Sequence, residues 1–182
     1  MTAYLVLLRG INVGGRNKVP MAALRSMVEA LGFENVSTYI ASGNVLLDSK
    51  LGAAKVAEKI EAALPEAFKL DAELIRVAVL SAAELEAIVK KRPRGFGGQP
   101  SKYHSDAIFL MGIDADDAMA AFNPREGVDR VWPGDGVIYS QRLSAERTKS
   151  RLNRIMTSPH YKAMTIRSWQ TTLALLELLR KR

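Results

Sequence analysis

The sequence of 182 residues predicts an α+β fold. Three observations support this class: short apolar runs without helical period alternate with amphipathic stretches, turn residues separate them, and Gly or Pro marks several ends. Apolar residues make up 48% and charged residues 25% of the chain, as in an ordinary globular protein. A chain of this length buries roughly 70% of its unfolded surface, so it has enough apolar core to fold without disulfides or metals.

The first half of the chain is predicted to contain four strands and two helices. Residues 4–9 are an aliphatic run typical of a buried strand, and residues 10–19 form a loop with three glycines and two asparagines. Pro20 suits the first turn of a helix, which Gly32 ends. The remaining predicted elements are strands 36–41 and 45–47, a helix from Val56 that Pro65 stops, and a strand at 74–80. This βαββαβ order is that of the split βαβ, or ferredoxin-like, unit.

The second half is predicted to repeat this architecture in part. Ser81 and Glu84 form a capping box for a helix that runs to about Lys90, and the Gly- and Pro-rich residues 91–102 favour a linker or mobile loop. Further predicted elements are a strand at 107–111, a short helix capped by Asp114, a hairpin of strands 128–132 and 137–140, a basic stretch at 147–156 and a last helix from about Ser168. We therefore expect two parts, a ferredoxin-like half at residues 1–80 and a second α+β half at 81–182 with basic C-terminal helices.

The positive charge of the chain is concentrated near its C-terminal end. The formal net charge is +7, yet residues 141–182 hold ten basic and two acidic side chains, a net +8, which leaves the other residues at −1. Such asymmetry indicates an anionic partner, for which we consider nucleic acid, a phosphorylated ligand and an acidic protein. A solvated face without a partner is the alternative interpretation.

Composition also excludes several kinds of site. The chain has no cysteine and two histidines, His104 and His160, neither with a partner at ligand spacing, so we expect no metal and no cofactor. The apolar run at residues 4–8 is too short for a signal peptide core or a membrane span. We therefore expect a cytoplasmic protein without membrane association.

The loop that follows the first strand is the sharpest candidate site. It carries basic side chains without an acid, and its glycines allow successive N–H groups to turn inward as an anion nest beside the start of the next helix. The residues predicted to bind an anion are Arg9, Gly10, Asn12, Gly14, Gly15, Arg16, Asn17 and Lys18. The spacing matches neither a Walker loop nor a dinucleotide fingerprint. The alternative is a purely structural loop in which Gly and Asn provide positive φ.

Four further residues are secondary candidates. Ser42 and Asn44 lie in the predicted turn between the second and third strands, which we place at the opposite end of the sheet from Arg9. Trp169 is interpreted as an apolar anchor of the last helix. The functional alternative is that Arg167 reaches the ligand of the loop and Trp169 provides a stacking wall.

Several of these motifs resemble one family. The segments 8–15, 19–21, 31–33 and 38–44 are similar to domain-of-unknown-function family 1697, a group of small, mostly bacterial proteins. Residues 165–171 resemble the closing Thr-x-Arg-Asn-Trp-Asn-Thr motif of that family, with Ser168 and Gln170 in place of both asparagines. The resemblance implies an α+β fold with ferredoxin-like repeats and no established activity.

Three functions follow as hypotheses. The leading one is binding of an anionic, phosphate-bearing ligand, a nucleotide or a nucleic acid, by the loop and the basic C-terminal part. The second is a small hydrolase of phosphorylated or acyl-phosphate substrates, by analogy with acylphosphatases, in which Arg16 would clamp phosphate and Asn44 would orient water. The third is an interaction scaffold without catalysis.

Overall fold

The computed structural model describes all 182 residues, which form two compact units. Unit 1 comprises Met1–Leu85 together with Leu175–Arg182, and unit 2 comprises Glu86–Ala174. The sequence placed the boundary between residues 80 and 81 and the whole C-terminal part in the second half. The difference arises because Leu85 is fully buried and because Arg182 bonds to Asp48 and Ser37 of unit 1.

Unit 1 is an antiparallel four-stranded sheet with two helices. Its elements are β1 (Thr2–Leu8), α1 (Met21–Ala30), β2 (Glu34–Tyr39), β3 (Asn44–Ser49), α2 (Ala53–Ala67) and β4 (Val77–Ser81). The strand order is β2-β3-β1-β4, so the predicted βαββαβ unit is confirmed.

Both faces of the unit 1 sheet are buried. Val6 and Leu8 point to the side of α1 and α2, where they join the core with Leu24 and Ile60. On the opposite face Leu5, Leu7 and Leu46 are at most 1% exposed. The central strands of this sheet therefore offer no open surface on which the bases of a single strand could stack in the way of ferredoxin-like RNA-binding domains.

Unit 2 has the same strand order as unit 1, but one of its helical connections is different. Its strands are β5 (Tyr103–Leu110), β6 (Asp129–Pro133), β7 (Val137–Leu143) and β8 (Met164–Ser168), in the order β6-β7-β5-β8. The short helix α4 (Ala115–Met119) occupies the place of α1 in the chain order. Where unit 1 has α2, unit 2 has three 3₁₀ helices, Ser144–Lys149, Leu152–Thr157 and Pro159–Ala163. The helices α3 (Ala82–Lys90) and α5 (Trp169–Arg180) complete the chain.

The two faces of the unit 2 sheet have different cores. Ile108, Ile138 and Ile155 pack on one side together with α4. On the other side Phe96 contacts the rings of Tyr139 and Trp169 edge to face, at centroid distances of 5.3 and 5.0 Å. Because Phe96 is only 2% exposed, the glycine-rich residues 91–102, predicted as a linker or mobile loop, form an anchored segment within unit 2.

Among the differences from the prediction, two boundaries and one missed strand have a clear physical reason. The helix α2 continues through Pro65 to Ala67, because Phe68 N still bonds to Leu64 O and closes the last turn without the proline donor. The strand β4 begins at Val77 and not at Leu74, since pairing starts opposite Leu8, where β1 ends. The strand β8 was not predicted, because it runs into α5 without a turn residue between them.

Candidate functional site

The loop after β1 is a small β-hairpin. Arg16 N donates to Val13 O at 3.0 Å, and the two central residues, Gly14 and Gly15, have φ of 59° and 74°. Positive φ at both central positions is what a type I′ turn requires. The hairpin (residues 10–18) therefore owes its glycines to turn geometry.

Two asparagine side chains fix this hairpin to the rest of unit 1. Asn12 Oδ1 accepts from Val19 N, and Asn12 Nδ2 donates to Val19 O and to Ala41 O, at 2.8 to 2.9 Å. Asn17 Oδ1 accepts from the backbone N of Asp71 and Ala72 at 2.8 and 3.0 Å. Both asparagines have positive φ, so they combine a left-handed backbone with clamping side chains.

Several amides in and beside the hairpin already have partners within the chain. Asn12 N donates to Asn17 O, Val19 N to Asn12, and Asn17 N to the Asp71 carboxylate at 2.6 Å. The carboxylate that meets this loop is thus one of the chain's own. What the hairpin displays to solvent is its side chains, since Arg16 and Lys18 are exposed and form no ion pair.

The turn between β2 and β3 lies beside the hairpin, and not at the opposite end of the sheet as predicted. The α1 crossover makes β2 parallel to β1, so β3 begins where β1 ends: Asn44 is the partner of Leu7. Gly43 O accepts from Leu8 N at 2.8 Å, and a Cβ at Gly43 would lie 2.8 Å from Ile11. Close approach of the turn to the hairpin base therefore requires glycine here.

Asn44 has a structural role. It is fully buried, and its Nδ2 donates to Tyr39 O at 2.9 Å and to Ser42 Oγ at 3.0 Å. Both amide protons hold the turn, so Asn44 has none left to orient a water molecule as the hydrolase hypothesis requires. The remaining basic residue, Arg9, is half-buried at the end of β1 and its N donates to Arg76 O.

The residues Arg167 and Trp169 are buried in unit 2, whereas the hairpin belongs to unit 1. Arg167 Nη1 donates to Thr165 Oγ1 and Ile166 O at 2.9 and 2.8 Å. Burial lowers the pKa of Arg167 to about 10. Trp169 is 4% exposed. It packs edge to face against Phe96 and Tyr139, with which it forms the aromatic cluster. This is the environment of an anchoring tryptophan.

The three 3₁₀ helices of unit 2 form a basic segment (residues 144–163). They hold five basic side chains and one acid, Glu146, which pairs with Lys149. The other four cations form no ion pair: Arg147, Arg151, Arg154 and Lys162. The buried carboxylate of Asp129 fixes the segment just before its second 3₁₀ helix, because it accepts from Ser150 Oγ and Arg151 N at 2.7 and 2.8 Å. It also accepts from Arg125 N, outside the segment, at 2.9 Å.

The sequence analysis missed one polar cluster. His104 and Asp106 lie two residues apart on β5, so their side chains share a face, and His104 Nε2 lies 3.0 Å from both carboxylate oxygens. Burial raises the pKa of Asp106, which the charge and hydrogen bond of His104 and the charge of Arg142 oppose. The signal that could have found the pair is the i, i+2 spacing of a base and an acid on a predicted strand.

No group of three or more His, Asp or Glu side chains lies close enough together to hold a metal ion. None of the helices is long and apolar enough to cross a membrane.

Two consecutive four-stranded antiparallel sheets of the same strand order define a tandem ferredoxin-like α+β protein. Comparison with protein-family models gives the particular family: the chain belongs to the family described as protein of unknown function (DUF1697), whose model matches residues 1–139.

A solved structure is similar to this chain over nearly its whole length. The conserved bacterial protein SP0830 from Streptococcus pneumoniae is 28% identical, with a TM-score of 0.82 and 99% of each chain covered. This similarity includes residues 140–182, which the family model does not match. A search of the curated proteins found no match.

Proposed function

We propose that this protein binds a phosphate-bearing polymer, single-stranded nucleic acid, through exposed cations of the basic segment, with the hairpin as a second contact. One observation carries the proposal: the basic segment and α2 occupy the same topological place in the two units but have opposite charge. Both connect the third strand of a unit to its fourth.

Both connections bury apolar side chains in the core of their unit. The helix α2 buries Val56, Ile60 and Leu64, and the basic segment buries Leu152 and Ile155. Yet α2 has two basic and three acidic residues, a net −1, whereas the basic segment has a net +4. Because the same topology folds in unit 1 with a connection of net negative charge, folding does not require the positive charge of the basic segment. Binding of an anionic partner would explain that charge.

The distribution of these cations favours a polymer over a small ligand. Arg147, Lys149, Arg154 and Lys162 are exposed and spread over sixteen residues of chain. Spaced surface cations suit successive phosphates of a backbone. The basic segment contains one phenolic or indole ring, that of the half-buried Tyr161. We therefore expect binding with little sequence preference and a dissociation constant on the order of 10⁻⁴ to 10⁻⁶ M at physiological salt.

The hydrolase hypothesis has no observation in its favour, because Asn44 is buried and bonded. In the hairpin, by contrast, Arg16 and Lys18 are exposed on a backbone that the side-chain hydrogen bonds of Asn12 and Asn17 hold in place. A rigid support lowers the conformational cost of binding, which favours the hairpin as the second contact.

The test is a fluorescence-anisotropy titration of a labelled oligonucleotide of about 20 nucleotides, a length that exceeds the site of one small domain. The double variant Arg147→Gln/Arg154→Gln is compared with wild type over a salt series. Each lost phosphate contact reduces the slope of log K against log salt by about 0.7, so the variant is expected to lose about 1.4.

The matched control is Lys50→Gln/Lys69→Gln, which removes the same charge from exposed positions of unit 1. This control should bind with the wild-type slope. Equal loss in both double variants would mean that net charge and not the basic segment governs binding, and the proposal would fail.

A further inference from the structure

A second kind of site lies in unit 2, at the place where β5 and α5 begin. The last pair between β5 and β8 is Asp106 with Ser168, so the first residues of β5 extend past β8 and leave one side open. A cavity of about 180 Å³ occupies this place. Its polar walls are Tyr103, His104, Ser105, Ser144, Ser168 and Gln170. We call it the His104 cavity.

The cavity has the size of a small-molecule site. Its volume exceeds the roughly 150 Å³ that holds a benzene-sized molecule in a protein interior. Its chemistry is different, because hydroxyl, amide and imidazole groups line it together with Gly97, Pro100 and the edge of Trp169. A few converging polar groups beside an aromatic wall are typical of sites that orient a polar ligand.

The orientation of His104 determines which atom faces a ligand. Both carboxylate oxygens of Asp106 lie 3.0 Å from Nε2, so Nδ1 is the ring nitrogen that Asp106 does not occupy. In the protonated ring Nδ1–H is a cationic donor, and the Asp106 carboxylate both fixes the ring and balances its charge. No acidic side chain lines the cavity, so nothing in its wall repels an anion.

A further group of positive charge lies beside the pair. Arg142 is the partner of His104 on β7, and its Nε is buried without a hydrogen bond. Buried polar donors are nearly always bonded, and this exception lies on the strand next to His104. The charged groups around His104 are thus Asp106 on its own strand and Arg142 on β7, while Ser168 and Gln170 of the C-terminal part are neutral.

We propose that the His104 cavity binds a small molecule through one oxyanion group, a phosphate or a carboxylate, with His104 Nδ1–H and the hydroxyl of Ser168 as donors. In the structure the Ser168 hydroxyl donates to Thr171 Oγ1 at 2.9 Å, so on binding it turns to the anion and the Thr171 hydroxyl donates to Ser168 Oγ instead. This site is independent of the polymer surface proposed above. It assigns a ligand-binding role to His104, to its positioning residue Asp106 and to Ser168 from the closing sequence motif.

The test uses the two histidines of the chain as reporters. The imidazole Cε1–H signals of His104 and His160 are followed by NMR in ¹³C-labelled protein, and the His160→Gln variant assigns them. Sodium phosphate and sodium acetate are titrated separately, with sodium chloride at matched ionic strength as the reference. The proposal predicts that the His104 signal moves saturably with phosphate, acetate or both, while the His160 signal follows chloride.

Two variants keep the result interpretable. Ser168→Ala should weaken the binding of the active anion roughly tenfold, the effect of one lost charge-assisted hydrogen bond. Because Ser168 Oγ also accepts from Thr171 N at the start of α5, circular dichroism and thermal melting check that the variant keeps its fold. Arg147→Gln/Arg154→Gln should leave the His104 titration unchanged, which separates this site from the polymer surface. A His104 signal that follows chloride, or an unchanged affinity in Ser168→Ala, would overturn the proposal.

Discussion

At the residue scale, Tyr139 links stability to alkaline pH. Its ring is 2% exposed and its hydroxyl donates to Ile88 O at 2.6 Å. Burial raises the pKa of Tyr139 to about 12, against a smaller lowering by Arg92. Because the folded pKa exceeds the ordinary value of about 10, this tyrosine stabilises the fold fully below pH 10, and the contribution is lost as the pH rises through 12.

The free energy of unfolding should therefore fall less at alkaline pH in the variant Tyr139→Phe than in wild type. In wild type we expect the free energy of unfolding to fall by up to ~3 kcal/mol between about pH 10 and 12 from this residue. Urea unfolding at successive pH values measures it, and the other four tyrosines contribute equally to both proteins. An identical alkaline decline in wild type and Tyr139→Phe would contradict this role.

Gly97 shows how closely the aromatic cluster is packed. It has φ of 74°, and an added Cβ would lie 2.3 Å from Cδ1 of Trp169. Gly95 provides a matched comparison, because its φ is 81° and an added Cβ would meet open space. Both alanine variants carry the cost of a left-handed backbone, about 1 kcal/mol, but only one also displaces the indole.

We expect Gly97→Ala to be less stable than Gly95→Ala by about 1 to 3 kcal/mol, the usual cost of overpacking a core. Thermal melting of the two variants measures the difference, and a shift of the tryptophan fluorescence in Gly97→Ala alone would locate it. Equal melting temperatures would mean that Trp169 moves aside without cost.

At the element scale, the hairpin contains residues that stabilise its fold and residues that are exposed without stabilising it. Asn17→Ala removes the bonds to Gly10 O, Asp71 N and Ala72 N, so we expect a loss of about 1 to 3 kcal/mol. The exposed Arg16→Ala should stay within about 0.5 kcal/mol of wild type. Urea unfolding measures both, and equal stabilities would show that Asn17 does not clamp the hairpin.

The elements that depend on local sequence were the most predictable. Ser81 and Glu84 form the predicted capping box, with Ser81 N donating to Glu84 Oε2 at 2.8 Å, and Asp114 caps α4 as expected. In both cases the interacting residues lie within three positions of each other. The α+β class and the ferredoxin-like first half followed from the same kind of local pattern.

The candidate site depended on contacts that no local pattern contains. Asn17 meets Asp71 across 54 positions, so the sequence could not reveal that the loop amide already has a carboxylate partner. Likewise, His104 and Asp106 lie on a strand that was predicted to begin later, at residue 107. A spacing of two residues places side chains on one face only in a strand. Because no strand was predicted at these positions, the pair was missed.

At the scale of the whole molecule, the chain uses one topology twice and changes one connection. Unit 1 joins its third and fourth strands by α2, and unit 2 joins the equivalent strands by the basic segment. The buried Asp129 accepts two hydrogen bonds from that segment, from Ser150 Oγ and Arg151 N. These bonds hold the backbone beside Arg151 in place, which under the proposed function positions part of the basic segment for contact with successive phosphates.

The most direct measurement of this account is the salt dependence of oligonucleotide binding by the intact chain. With three to five phosphates contacted by the basic segment and up to two by Arg16 and Lys18 of the hairpin, log K should fall linearly with log salt, with a slope between about −2 and −5. An affinity that does not change with salt, or the absence of binding at low salt, would contradict the account.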